Sequence, residues 1–585
     1  MVNVDQVTPQ DENEIKSTST TEPLQHQKEQ ETFSSPELRF HPHTQRRSDR
    51  ARGGGMYLNL IFALIWFQYL ALALRGVFYE IFYTLREWSF AAMWCSVCRH
   101  AWLERFSKAN IYMKWIYGEL KDVFGRPVNS GAGSSIRVGA TSHTKSVTAY
   151  NLGSYNYLGF GAETSGLCNE AVTTALEKYG ASTTSPHAAT GALDVTRELE
   201  SVIVRFLRRD CSTSACIVFP MGHSTNASGI PALLKKGDVV FSDALNHNSI
   251  AMGCMSVPGV TVTRFKHNDM RDLEAKLQEA LRKQYTLGTA PKRFVIIAEG
   301  IYSMEGDFCD LPALVALKKR YKAYLYIDEA HSIGCTGISG RGVCEHFFVD
   351  PNDVDVLMGT FSKSFAACGG YICSSAPVVR GLRARCGGEL CDTGMSGVCA
   401  VQTLTSMRVI MGELDACGYA SGAQRLEALR RNTRMLRQGL LEKGFKLMGN
   451  EASPVIPMMI YLPTAMAIFS RDCMNSGLAV VVVGYPATDF MTIRARFCAS
   501  AGHTEDDMNA MLRIITRIGH RCMLDFNNPS AVETLVKTTK ATIRHAVGKT
   551  LMCAQECTAN GGWKTLFSRE KKGVHVAIAR AHKSL

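Results

Sequence analysis

Long uncharged apolar runs are almost missing from this 585-residue sequence; the one present is Met56–Leu74. That scarcity excludes a polytopic membrane protein. Charge is sparse as well, at 20% against 46% hydrophobic residues, which excludes a wholly disordered or collagen-like chain. No repeat is visible at solenoid periods. No basic stripe interleaved with aromatics is present, so nucleic acid is not an expected partner. The 20 cysteines are scattered, which argues for reduced thiols rather than a secreted disulfide scaffold. One close pair, Cys95 and Cys98 with His100 nearby, has no second pair at zinc-ribbon distance, so no metal is expected. Residues 1–55 hold no Trp, Tyr or Cys and read as a disordered tail. Asp5, Asp11, Glu12 and Glu14 exclude a mitochondrial presequence, and the apolar run begins too late for a signal peptide.

What is there begins with that run. Its 19 residues make a helix about 28 Å long, close to the hydrocarbon thickness of a bilayer. Arg46, Arg47, Arg50 and Arg52 precede it and Arg75 follows. Residues 76–100 stay apolar and aromatic, with Phe78, Ile81, Phe82 and Leu85 on one helical face. Residues 56–100 are therefore expected to anchor the chain to a membrane, either as a single span or as a monotopic helix. The net charge is +12, and residues 541–585 carry eight basic residues against two acids. The basic tail 531–585 suits an anionic membrane, an acidic partner or plain solvent.

From about residue 150 the pattern is α/β. Short β-branched or aromatic runs at 215–219, 238–241, 294–298, 323–327 and 354–358 read as buried strands, and amphipathic stretches lie between them. Such alternation predicts a mostly parallel sheet covered by helices, with functional groups in loops after the strands. Those loops carry Gly222, His223 and Ser224, then His247, then Ser303, then Asp328 and His331, then Thr360 and Lys363. Asp328-Glu329-Ala330-His331 also matches a helicase box, but no phosphate-binding Gly-Lys-Thr precedes it. Taken together, the set suits pyridoxal phosphate. That cofactor needs a Schiff-base lysine, a carboxylate for its pyridine nitrogen, and a Gly-rich helix start for its phosphate.

At these residues the chain resembles the α-oxoamine synthases, pyridoxal-phosphate enzymes that condense an amino acid with an acyl-CoA and lose CO2. The resemblance lies in NLGSYNYLGF (151–160), AEGIYSMEGD (298–307), YKAYLYIDEAHSIG (321–334), GRGVCEHF (340–347), DVDVLMGTFSKSFAACGGYI (353–372) and RARFCASAGHT (494–504). It is nearest to the catalytic subunits of the eukaryotic serine palmitoyltransferase branch. It implies the fold type I transferase architecture: a large cofactor-binding domain over 151–395 and a smaller C-terminal α+β domain over 396–530, preceded by an arm over 101–150. It also implies roles: Lys363 as Schiff-base lysine and Cα proton acceptor, Asp328 on the pyridine nitrogen, His331 and Ser303 on the ring oxygen, and His247 stacked on the ring. Gly222, Ser224 and Thr360 would hold the phosphate, while Arg496, with Arg494 beside it, would meet the substrate carboxylate. The implied reaction joins L-serine to palmitoyl-CoA to give 3-ketodihydrosphinganine, the first step of sphingolipid synthesis. The implied setting is the endoplasmic reticulum membrane, with the site facing the cytosol and a lysine-lacking homologous subunit as partner. The chain departs from the family pattern at His187, where an Arg is usual, at Thr196, where a His is usual, and at Gly397, where a Pro is usual. Thr393 remains a candidate for reaching a phosphate. Other readings stay open: a glycine C-acetyltransferase or 5-aminolevulinate synthase type, a non-catalytic regulatory paralogue, and a membrane-tethered aminotransferase.

Overall fold

The computed structural model describes residues 120–525 except 142–144, 162–165, 287–291, 415–417, 486 and 490, together with the helical positions Ala63 and Leu70. The expected tail 1–55, the basic tail 531–585 and the Cys95–Cys98 pair lie outside the described residues. So does the expected anchor 56–100, apart from those two positions. Among the described residues no helix is long and apolar enough to cross a membrane.

The body is organised by a seven-stranded sheet. Its strands are β3 (Ser214–Phe219), β4 (Val239–Asp243), β5 (Thr261–Phe265), β6 (Phe294–Glu299), β7 (Tyr324–Asp328), β8 (Val356–Thr360) and β9 (Gly370–Ser375), in the order β3-β9-β8-β7-β6-β4-β5. Pairs among β4 to β8 are parallel, while β9 runs antiparallel to both its neighbours. Central strands are buried along nearly their whole length because both faces are covered. Phe241, Ile296, Leu325 and Leu357 enter one apolar core, and the alternate residues Val240, Ile297, Tyr326 and Val356 enter another. The five expected strands are β3, β4, β6, β7 and β8. The edge strand β5 was hidden because its TVTRF sequence is mostly exposed. β9 was hidden behind Gly369–Gly370, which reads as a turn.

A second unit of structure holds β10 (Val455–Met459), β12 (Val481–Val483) and β13 (Arg494–Cys498) in an antiparallel sheet, order β10-β13-β12. Helices Gly422–Glu442, Pro463–Asn475 and Glu505–Arg521 close its core with Leu436, Phe469, Met511 and Ile515. The expected division at 395/396 precedes the helix Gly397–Met411, yet that helix buries Ala400, Leu404, Met407 and Ile410 in the core of the large sheet. The helix ends at Gly412, left-handed at φ 73°, so the change of core comes there. Ahead of the large sheet, β1 (Ser135–Val138) pairs with β2 (Val147–Asn151), and β2 pairs in turn with β11 (Leu478–Ala479) of the C-terminal part. Asp122 forms a partly buried ion pair with Arg471 at 2.7 Å.

Candidate active site

The lysine rides on a hairpin. β8 and β9 pair with Thr360 opposite Gly370, and the loop 361–369 turns between them. Phe361 N donates to Gly369 O at 2.9 Å and Ala367 N donates to Phe361 O at 3.0 Å. Ser364 Oγ ties the loop to Ile333 O at 2.7 Å. Ala366 at φ 52° and Gly369 at φ 118° are the positions where the backbone turns left-handed. The hairpin carries Lys363 Nζ to 5.4 Å from the centroid of the Tyr155 ring. Burial lowers that amine from 10.5 to about 8, against the opposing pull of Asp328 and Glu299.

Asp328 ends β7 and Glu299 ends β6, directly opposite each other in register. Both are buried. Burial, and the neighbouring Asp328, push Glu299 well above the carboxylate range. One Glu299 oxygen accepts the backbone N–H of His247. Asp328 accepts from Asn226 Nδ2 at 2.7 Å and from Ala330 N at 2.9 Å. Asn226 is saturated: its second amide hydrogen goes to Ser249 Oγ at 3.0 Å, and its oxygen accepts from Tyr326 OH at 2.7 Å. Ser249 Oγ lies 2.7 Å from His247 Nδ1, which also accepts Ser249 N as a helix cap at 3.2 Å. Burial lowers His247, and acceptance at Nδ1 leaves its single proton on Nε2. Burial also holds His331 well below its ordinary value, so its ring is neutral, and its Nδ1 meets Tyr157 OH at 2.8 Å.

The helix Gly222–Leu233 begins beside Thr360. A Cβ on Gly222 would lie 2.5 Å from Thr360 Oγ1, so only glycine fits there. First-turn amides have no acceptor within a helix, so those of Gly222, His223 and Ser224 are free to face an anion. Thr360 Oγ1 donates to Gly369 O at 3.0 Å, and Ser224 Oγ donates to Asp392 at 3.0 Å. Thr393 is exposed and bridges to Pro186. Ser303 is half-buried in the loop after β6, next to Met304.

The two arginines separate. Arg496 lies 4.6 Å from the Tyr155 ring centroid and is 4% exposed, with no carboxylate partner among the described residues and no acceptor for its Nε. Arg494 is occupied: it pairs with Glu305 at 3.1 Å and donates to Met304 O and Thr492 O. The structure thus brings Arg496 to Tyr155 and the lysine but commits Arg494, expected at the substrate, to bracing the loop after β6.

The departures from the family pattern cluster. His187 Nδ1 meets Glu389 at 2.8 Å, and Glu389 also pairs with Arg383. Gly394 N donates to Ser185 O at 2.9 Å. A Cβ on Gly397 would stand 2.8 Å from Tyr179 Cβ, which is why no proline ring sits there. Thr196 is buried and donates to Leu193 O at 2.7 Å. Reading by sequence missed Tyr155, Asn226 and Glu299 as site residues. Each stands inside a quoted motif or strand-end segment, but only the fold shows which neighbour it serves.

A family model for class I and II aminotransferases matches residues 147–515. "Serine palmitoyltransferase 2" of Dictyostelium discoideum is 43% identical, the match covering 71% of this chain and 86% of the relative. "Long chain base biosynthesis protein 2b" of Arabidopsis thaliana is 41% identical over 70% and 84%. Among solved structures, a Sphingomonas wittichii serine palmitoyltransferase superposes with a TM-score of 0.62 at 26% identity, covering 71% of this chain and 98% of that one. A structure described as SPT with PLP superposes with a TM-score of 0.63 at 27% identity, covering 72% and 99%.

Proposed function

Because the chain belongs to the class I and II aminotransferase family, among the serine palmitoyltransferase 2 proteins, we propose that it condenses L-serine with palmitoyl-CoA, releasing CO2 and CoA and yielding 3-ketodihydrosphinganine. The observation that carries this reading is the pairing of a desolvated lysine amine with a buried, carboxylate-free arginine against one tyrosine. Arg496 offers a planar fork for the serine carboxylate, a task for which Arg is better shaped than Lys. Lys363, with a pKa of about 8, is partly neutral near physiological pH, and its Nζ takes the Cα proton.

The residues present fit pyridoxal phosphate. Gly222 leaves a space beside Thr360 that a Cβ would fill, next to unpaired helix amides. Thr360, Gly222 and Ser224 would hold the phosphate, and Asp328, His331, Ser303 and His247 the ring, with Lys363 as the attachment amine. When bound, the cofactor supplies an electron-withdrawing ring that stabilises negative charge at the serine Cα. Asn226 fixes the Asp328 carboxylate, and Tyr157 fixes the His331 ring. Gly222→Ala is expected to weaken pyridoxal phosphate binding roughly tenfold or more, since overpacking costs about 1–3 kcal/mol. Cofactor titration by absorbance checks this, and unchanged affinity would move the phosphate site elsewhere.

The setting belongs to the same reading. Residues 56–100 anchor the chain to the endoplasmic reticulum membrane, the site faces the cytosol, and a homologous subunit lacking the lysine completes the enzyme. The uncharged Met56–Leu74 run, the long-chain acyl substrate and the waxy product support it. Removing residues 1–100 is expected to release the chain from the membrane pellet with the site intact. Pelleting that persists would point to the basic tail or the partner.

The direct test is serine-dependent CoA release from palmitoyl-CoA, with the chain co-expressed in membranes with its partner. Release with serine but not glycine is the expected result. Release with glycine would favour a glycine C-acetyltransferase or 5-aminolevulinate synthase type. No release with any amino acid would make this the non-catalytic paralogue.

A further inference from the structure

The loop after β6 closes into a tight turn whose tip meets both arginines. Tyr302 N donates to Asp307 O at 3.0 Å, and Gly306 N donates to Tyr302 O at 2.8 Å. At the tip, Met304 O accepts from Arg494 at 2.8 Å and Glu305 pairs with Arg494 at 3.1 Å. Met304 Sδ lies 3.8 Å from Arg496 Nη1. One histidine grips the base of the turn. His267, from the loop after β5, stands at 85° to the Tyr302 ring with the centroids 4.4 Å apart. Its Nδ1 lies 2.9 Å from Asp243 Oδ1 at the end of β4, and its Nε2 lies 3.6 Å from Asp307 Oδ2. The ring is 8% exposed, and its Nε2 is enclosed with no hydrogen-bond partner. Each nitrogen therefore faces a carboxylate, and only the doubly protonated ring turns an N–H towards both. Asp243 is the fixed end of this chain, since its oxygens accept from Leu245 N and Asn268 N, both at 2.9 Å.

We propose that His267 is a positioning residue: by holding Asp307 against the fixed Asp243, it sets the turn 302–307 and, through Met304 and Arg494, keeps Arg496 aimed at the serine carboxylate. A Cβ on Gly306 would stand 2.6 Å from Val455 O, so the turn already lies hard against β10 and can only swing away from it. The proposal rests on Arg496 as the arginine that meets serine. A misplacement of about 1 Å costs on the order of 10²-fold at a reacting group, and a loosened turn still visits its place, so about a tenfold rise in the serine requirement is expected.

The grip depends on charge. Around His267 stand Asp243 from β4 and Tyr302, Glu305 and Asp307 from the turn. Beyond them lie Arg494 on β13, paired with Glu305, and Arg437 on the helix Gly422–Glu442, within the field of Asp307. Burial alone would lower this imidazole, but Asp243 and Asp307 prevail and push it up to about 9. The grip is thus present below pH 9 and is lost as pH rises through it. Removing one carboxylate, as in Asp307→Asn, should bring that loss about one pH unit lower.

The test compares the full chain, with its partner in membranes, against His267→Asn and Asp307→Asn. Asparagine at 267 keeps a donor near the Nδ1 position and gives up the reach to Asp307. Hydrogen exchange read by mass should show the peptide over 300–310 exchanging several-fold faster in both variants, with peptides over β6 and β7 unchanged. The serine requirement should rise about tenfold in His267→Asn, with the acyl-CoA requirement level. In Asp307→Asn the alkaline rise in serine requirement should begin at lower pH than in the unaltered enzyme. Asp307 is partly exposed, so this second variant carries the test if His267→Asn does not fold. Unchanged exchange over 300–310 would overturn the proposal. So would faster exchange with an unaltered serine requirement, or an equal rise for acyl-CoA. An Arg496→Ala enzyme with normal serine use would instead remove the reading of Arg496, while the exchange pattern would still report whether His267 holds the turn.

Discussion

Lys363→Met is expected to abolish condensation, a loss on the order of 10³-fold or more for removal of a nucleophile that is also the base. In the cofactor-free protein the same change should increase stability at neutral pH. The amine falls from 10.5 to about 8 on folding because the protein desolvates it. The folded state therefore binds this proton more weakly than the unfolded chain. Below pH 8 both states are charged, and confining the cation costs on the order of 3 kcal/mol. Between about pH 8 and 10.5 the folded state is neutral while the unfolded chain is still charged, so the cost shrinks as pH rises. Methionine keeps the shape without the charge. Denaturant midpoints of the two cofactor-free proteins should differ most at pH 7 and converge towards pH 10. A gap that does not change with pH would mean the amine is hydrated, and normal turnover would remove Lys363 from the reaction.

Arg496→Ala is expected to raise the serine requirement roughly 10²- to 10³-fold, since breaking a buried ion pair costs about 3–5 kcal/mol. The acyl-CoA requirement should hardly move. Lysine at 496 should recover only part, because an ammonium lacks the fork. Arg494→Ala is the contrasting control. It strips Glu305 of its partner, so its effect should appear first in the thermal midpoint. Separate substrate titrations check the pattern, and a larger shift for acyl-CoA than for serine would reverse the assignment of Arg496.

The contrast between these two arginines shows where sequence reading reaches its limit. RARF puts residues 494 and 496 on the same face of a strand, and nothing in that spacing says which side chain finds Glu305. Buried strands announced themselves by continuous β-branched runs, so β4, β6, β7 and β8 and the loops after them were legible. β9 was not, because its antiparallel return depends on a hairpin whose glycines look like a break. The lysine, the acid and both histidines were found by motif. Asn226 and Glu299 needed the sheet order, since their partners lie 102 and 52 positions away. The departures at His187 and Gly397 looked like losses in one dimension. In three, His187 has a carboxylate of its own in Glu389, and Gly397 makes room for Tyr179.

The arm described by β1 and β2 has a mechanical consequence. Among the described residues, the arm is tied to the C-terminal part by the Asp122–Arg471 pair and by β2, which pairs with β11 and not with the seven-stranded sheet. A pull on the arm at Leu120 is therefore transmitted first to the part that carries Arg496, while Lys363 stays with the large sheet. Tension along that line would load the two halves of the site unequally, so the arm is a lever on the gap between arginine and lysine.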